Sequence, residues 1–456
     1  MTEPKRKRAR PRVRGRTERS VVHSIAPLIS REIFKEVNMN NYFNDIVKNL
    51  SQLIKFDSSQ APAAPDKPFG EDNARCLDFF LSLASFLGFE TKNYDNYVGE
   101  VRWGSGNDFA VLAHLDVVPA GSGWTHEPFG GEVDREAGRV WGRGAMDDKG
   151  PAIITLYAMK ALKDSGFKPK KTIKLIVGCN EETGWACIDH YNKVAKMPEV
   201  GISPDADFPV IYAEKGIVHL QFAFPAANAQ FSGLKGGGAA NMVCDYCSVK
   251  ADEKSALIEQ LGLEYAADTV ISRGKSAHGS TPEKGANAIE RILDYLGLAE
   301  MKRLLFVEKF GLLNFEDETG KLTFSPNVIE QKDGKIYVTC DVRYPATYKL
   351  ESVLEAVDKH GVPYTVLHEQ APLYNDKNGK LITTLLGVYN EVTGANAQPV
   401  AIGGGTYARA LKCGAAFGPE EDGEECTIHQ PDEYITFAKI EKCFKIYKLA
   451  LERLCG

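Results

Sequence analysis

"DFAVLAHLDVV", residues 108–118, is an apolar run of strand length that ends in a histidine, His114, and an acid, Asp116. A run this short and this apolar reads as a strand buried inside a sheet. Its neighbours alternate with it. "NARCLDFFLSLASFLGF" (73–89) and "GPAIITLYAMKALKDSG" (150–166) place apolar residues at helical spacing, and "KTIKLIVGCNEE" (171–182) returns to strand. Such alternation predicts an α/β sandwich built on a mostly parallel sheet.

Beyond Asp205 the pattern changes. Strands such as "GIVHLQFAF" (216–224) and "KIYVTCDVRY" (335–344) mix with helices such as "GANAIERILDYLGL" (285–298), which predicts an α+β insert. Long amphipathic helices resume in "GKLITTLLGVYNEVTG" (379–394) and "YITFAKIEKCFKIYKLALERL" (434–454). The expected plan is a discontinuous catalytic domain, residues 39–209 and 373–456, interrupted by a lid domain, residues 210–372. No repeat of solenoid length is visible.

Residues 1–38 stand apart, because "PKRKRARPRVRGR" (4–16) is too charged to bury a core and is expected to be a disordered basic extension. His23 and Pro27 break what would otherwise be a signal-peptide core. Ordered sequence is expected from Met39, with the natural start of translation downstream of residue 1. The formal net charge of −6 gives no footprint for nucleic acid, and no apolar run approaches the ~20 residues of a membrane helix. The 10 cysteines, without regular spacing, read as reduced residues of a cytoplasmic protein. Cys244 and Cys247 have the spacing of a metal or redox pair, but no second pair accompanies them and they read as core residues.

Acids and histidines recur where strands end. In a strand, positions i and i+2 share a face, so the Asp116 carboxylate is expected to reach the His114 ring and fix its tautomer. "WGRGAMDDKGP" (141–151) delivers Asp147 and Asp148 to a helix start, where one acid would suffice as a cap. "VGCNEETGW" (177–185) sets Glu181 and Glu182 at a strand's carboxyl end, where sites gather in open α/β sheets. Asp205 follows another short strand, and His429 lies in a polar loop before the last helix. Each alone reads equally well as a satisfied core or solvated loop residue. Together, two histidines and three carboxylates make a donor set for two divalent ions sharing one carboxylate.

In this order, "AHLDVVPAG", "GRGAMDDKGP", "NEETGW", "SPDADFPV", "AEKG", "SAHGSTPEKGANA", "DVRYP", "GGGTYAR" and "HQPDEY" resemble the motifs of co-catalytic zinc or manganese metallopeptidases. That family includes carnosinases, carboxypeptidases and desuccinylases, and the resemblance is greatest to PepV-type dipeptidases. It extends from Met39 to Gly456. It implies His114 and Asp205 on one metal, Glu182 and His429 on the other, and Asp147 between them. Zinc, manganese and cobalt all suit such ligands. Asp116 would orient His114, and Glu181 would be the general base. In the lid, His278 would polarise the scissile carbonyl, while Asn241 and Arg343 would hold the substrate's backbone and carboxylate. Gly404, Gly405, Thr406 and Arg409 would close over the same end.

The implied activity is hydrolysis of dipeptides with a free C-terminal carboxylate. An N-acyl amino acid deacylase or desuccinylase of the same architecture is the alternative, and a non-catalytic binding protein a distant one. The stretch between Asp205 and Asn378 exceeds the roughly 100 residues of one small domain. A bipartite lid and an active monomer are therefore expected, with a small dipeptide as partner and neither membrane nor nucleic acid.

Overall fold

The computed structural model describes residues 40–226 and 230–456, so the expectations for the basic extension and the start of translation lie outside the described residues. Strand β1 (Asp108–His114) is fully buried from Phe109 to Ala113, which is why its sequence is apolar on both faces. It pairs in parallel with β2 (Thr172–Gly178) on one side and β3 (Val200–Ser203) on the other. The strand Cys413–Ala416 adds in parallel beyond β3. Antiparallel strands flank this centre and complete a nine-stranded sheet. The expected mixed α/β architecture with a mostly parallel central sheet is the one observed.

Helix α1 (Lys149–Asp164) follows the Asp147–Asp148 turn and is buried over most of its length. Pro151 sits in its first turn, where no intrahelical donor is required. Small residues Ala152, Ala158 and Ala161 bring the helix close to its neighbours. It packs against α2 (Phe437–Cys455), whose N-cap Thr436 accepts from the Lys439 N–H. The sequence from Tyr434 to Thr436, expected to be helical, instead forms a short strand paired with Arg139–Trp141. Its alternating Tyr-Ile-Thr suits a pleated edge better than a helix.

The chain leaves the first sheet through Lys215 into β4 (Gly216–Pro225). β4 pairs antiparallel with β5 (Lys335–Tyr344) and with β6 (Tyr364–Gln370). These strands belong to a separate eight-stranded sheet with its own apolar cluster. Among the described residues, two four-stranded halves meet in it through two register pairs, Lys235 with Glu330 and Gly236 with Ile329. Cys244 and Cys247 are both buried within that cluster.

Candidate metal centre and substrate cleft

Loops after three parallel strands converge at their carboxyl ends. His114 closes β1, Glu181 and Glu182 follow β2, and Asp205 follows β3. Asp147 arrives at the start of α1, and His429 from the loop before α2. The Asp147 carboxylate lies between the histidines, with Oδ1 2.9 Å from His114 Nε2 and Oδ2 2.9 Å from His429 Nε2. Asp205 Oδ2 stands 3.7 Å from the same His114 nitrogen, and Glu182 Oε1 3.2 Å from His429. His114, Asp147 and Asp205 thus form one candidate metal-binding group, and Asp147, Glu182 and His429 a second.

The His114 tautomer is fixed differently from the sequence expectation. The strand ends at His114, so pleated alternation no longer governs Asp116. Nδ1 lies 2.9 Å from the Asp116 main-chain carbonyl, whereas the nearest carboxylate oxygen is 3.6 Å away. A carbonyl only accepts, so Nδ1 carries a proton and Nε2 is the nitrogen turned to the acids. Burial opposes the imidazolium, but the neighbouring acids raise His114 well above its usual range, so in the metal-free protein Nε2 is protonated too and donates to Asp147. The Asp116 carboxylate instead accepts the Glu181 N–H at 3.0 Å and the Glu182 N–H at 3.1 Å.

Electrostatically the cluster calls for added positive charge. Burial and then the Asp147 charge push Asp205 up to about 7. Burial likewise raises Glu181 well above the carboxylate range, with Asp205 and Glu182 adding to it. For His429, burial opposes the imidazolium but hydrogen bonds to Asp147 and Glu182 win, raising it to about 11. Burial works against Asp147 too, yet hydrogen bonds from both histidines hold it below the usual range. Crowded acids around two imidazoles, one held through Nδ1 with Nε2 turned to the acids, fit divalent cations that take nitrogen and oxygen donors.

Across the cluster lies a cavity of about 510 Å³. Glu181 and Glu182 form one wall; Asn241 and His278, from loops beside the second sheet, and Arg343 on its strand β5 form the other. The model of peptidase family M20/M25/M40 matches residues 110–453. This chain belongs to that family. The peptidase is 33% identical over 450 residues to the Beta-Ala-Xaa dipeptidase of Lactobacillus delbrueckii subsp. lactis, covering 90% of this chain and 96% of that one. Its fold is similar to human carnosine dipeptidase 1 (TM-score 0.59, 14% identity, 92% of this chain and 98% of that one). Dug1p from Saccharomyces cerevisiae is similar as well (TM-score 0.58, 16% identity, 92% of this chain and 97% of that one).

Within the peptidase's cleft, Ser280 donates its N–H (3.3 Å) and hydroxyl (2.6 Å) to His278 Nδ1, leaving the proton on Nε2. Burial and the Arg343 charge lower the His278 pKa, keeping the ring neutral. Arg343 gives Nε (2.6 Å) and Nη2 (2.8 Å) to the buried Asp341 carboxylate, and Nη1 (3.1 Å) to the Gly403 carbonyl. One N–H on each terminal nitrogen remains.

Gly404 and Gly405 line the cavity, but Thr406 and Arg409 turn away from it. The Thr406 hydroxyl donates to the buried Glu214 at 2.7 Å. Arg409 donates to Glu214 at 2.5 Å, and to the Lys215 and Gly404 carbonyls at 2.6 and 2.7 Å. These two residues hold the loop from behind.

Glu433 escaped the sequence reading. It is fully buried, pairs with Arg143 Nη1 at 2.8 Å, and accepts the N–H groups of Gly144 (3.1 Å), Met146 (2.9 Å) and Asp147 (3.3 Å). Burial and the Asp147 charge push it up to about 7. An acid leading into the apolar-rich "YITF" was the available signal.

Proposed function

We propose that the chain is a metal-dependent dipeptidase that hydrolyses dipeptides with a free C-terminal carboxylate. The carrying observation is the cavity that sets Glu181 and Glu182 opposite Asn241, His278 and Arg343. Its volume of about 510 Å³ falls within the range of small-molecule sites. The dipeptidase relative points the same way.

In this reading His114 and Asp205 hold one ion and Glu182 and His429 the other, with Asp147 shared. When bound, zinc, manganese or cobalt supplies Lewis acidity to a water and to the peptide carbonyl. Glu181 takes the proton from the attacking water at its carboxylate and passes it to the leaving amine. His278 donates its Nε2–H to the carbonyl oxygen as negative charge develops there. Arg343, pinned side-on by Asp341, offers its remaining end-on edge to the substrate's terminal carboxylate. Asn241 holds the substrate backbone, and Gly404 with Gly405 lets the chain approach closely.

His278, in the loop after the strand Thr269–Arg273 of one half of the lid sheet, and Arg343, on β5 of the other half, line the same cavity of one chain, which supports an active monomer. The separate apolar clusters of the two sheets support a discontinuous catalytic domain interrupted by a lid, with the lid beginning after Glu214 rather than at residue 210, because Val210, Tyr212 and Ala213 pack in the first cluster. Among the described residues no helix is long and apolar enough to cross a membrane. Cysteines without a disulfide framework support a cytoplasmic setting.

The test is hydrolysis by metal-stripped protein reloaded separately with zinc, manganese or cobalt. The panel is Leu-Leu, β-Ala-His, a tripeptide and N-acetyl-leucine. Cleavage of the dipeptides with little action on the other two is expected. Cleavage of N-acetyl-leucine alone would move the chain to the deacylases.

A further inference from the structure

Strand register builds a patch beside Arg343 that the reaction above does not use. On β4, Ile217 faces Arg343 of β5 and Gln370 of β6. Two residues along, His219 faces Asp341 and His368. Because side chains alternate along a strand, all six lie on one sheet face, in two rows about 7 Å apart with about 5 Å between strands. Ile217, His219, His368 and Gln370 line the same cavity as Arg343. The imidazoles of His219 and His368 stand 5.2 Å apart, centre to centre. His219 Nε2 lies 3.8 Å from the Asp341 carboxylate, whose oxygens already accept from Arg343.

Resting on the dipeptidase reading, we propose that His219, His368 and Gln370 form the subsite for the side chain of the C-terminal residue, and that it selects hydrogen-bonding side chains, carboxamide or carboxylate, over aliphatic ones. With the terminal carboxylate on the free edge of Arg343, the adjacent side chain falls within one strand spacing of this patch. Ile217 gives it a single apolar contact. The other three groups carry hydrogen-bonding atoms. An aliphatic side chain would strip water from two imidazoles and a carboxamide and return no hydrogen bond. A carboxamide or carboxylate restores at least one.

The experiment compares kcat/KM for Ala-Leu, Ala-Gln and Ala-Glu, and for the mirrored Leu-Ala and Gln-Ala, in the metal-loaded enzyme. The wild type should favour Ala-Gln and Ala-Glu over Ala-Leu by roughly 10-fold, the worth of one net hydrogen bond. His368 is exposed, so His368→Leu tests the subsite without disturbing the core, and Gln370→Leu provides a second variant. Each should bring the ratio towards 1 by loss on Ala-Gln and Ala-Glu. The proposal is overturned if the wild type prefers Ala-Leu. A uniform loss on every substrate in both variants, or discrimination that follows the N-terminal residue, also overturns it. Failure to cleave any dipeptide of either series overturns the dipeptidase reading itself, and the subsite with it.

Discussion

Replacing Asp116 with asparagine separates two roles that the sequence alone merges. If the carboxylate oriented His114, the substitution would loosen a metal ligand and cost about 10- to 100-fold in metal affinity. In the structure, His114 Nδ1 donates to the Asp116 main-chain carbonyl, which asparagine retains. The carboxylate serves the Glu181 and Glu182 N–H groups at 3.0 and 3.1 Å. Asparagine keeps one acceptor and turns an NH2 towards the other N–H, so one charge-assisted hydrogen bond worth about 1.5–3 kcal/mol is lost. Expressed through the placement of Glu181, that is a fall in kcat of roughly 10- to 150-fold. The assay is a metal titration by competition with a chelator, followed by turnover at saturating metal. Asp116→Asn should keep its metal affinity within a few-fold of the wild type and lose kcat. A 10-fold or greater loss of metal affinity with normal kcat at saturation would refute the reasoning.

Three further outcomes are expected. Glu181→Gln should leave metal stoichiometry unchanged and lower kcat by about 10²–10⁴-fold, measured under saturating metal and substrate. His429 is raised to about 11 in the metal-free protein, so it is protonated at pH 7.5 and gives up that proton only as pH rises through about 11. Metal loading at pH 7.5 should therefore release at least one proton per chain, read by calorimetry in two buffers of different ionisation enthalpy; zero release would refute this. Arg143→Met leaves Glu433 buried without its cation, with three backbone N–H donors still in place. A loss of about 3 kcal/mol is expected, seen as a lower urea midpoint in the metal-free protein, and an unchanged midpoint would count against the pair's role.

What the sequence made legible is what lies close along the chain. β1 announces itself because both its faces are buried, and His114 ends its strand while Glu182 and Asp205 stand just past theirs, where a parallel sheet gathers its loops. The Asp116 carboxylate stands farther from His114 Nδ1, at 3.6 Å, than strand alternation implies. Alternation holds only within a strand, and β1 stops at His114. Glu433 was hidden by distance, since its partner Arg143 lies 290 residues away and no local pattern joins them. Arg409 also has a remote partner in Glu214, 195 residues away, and its position in a glycine-rich motif suggested a ligand contact that the fold directs elsewhere. The facing of His219 and His368 depends on strand register, which their separate segments do not reveal.

The buried Glu214 joins the two halves of the cleft mechanically. It ends a strand of the first sheet, and only Lys215 separates it from β4 of the second. Its carboxylate accepts from Thr406 and Arg409, and Arg409 also donates to the Lys215 and Gly404 carbonyls. The short link between the sheets and the glycine loop at the substrate end are therefore fastened to one ion pair. Arg343 lies in the second sheet but donates to the Gly403 carbonyl at 3.1 Å, adding a tie from the other side. A rotation of one sheet relative to the other would be felt at Gly403–Gly405 and Arg343 together. In this arrangement the terminal carboxylate of a substrate, held on the free edge of Arg343, meets a position set jointly by both sheets. Arg409 thus shapes recognition of the substrate without facing the cavity.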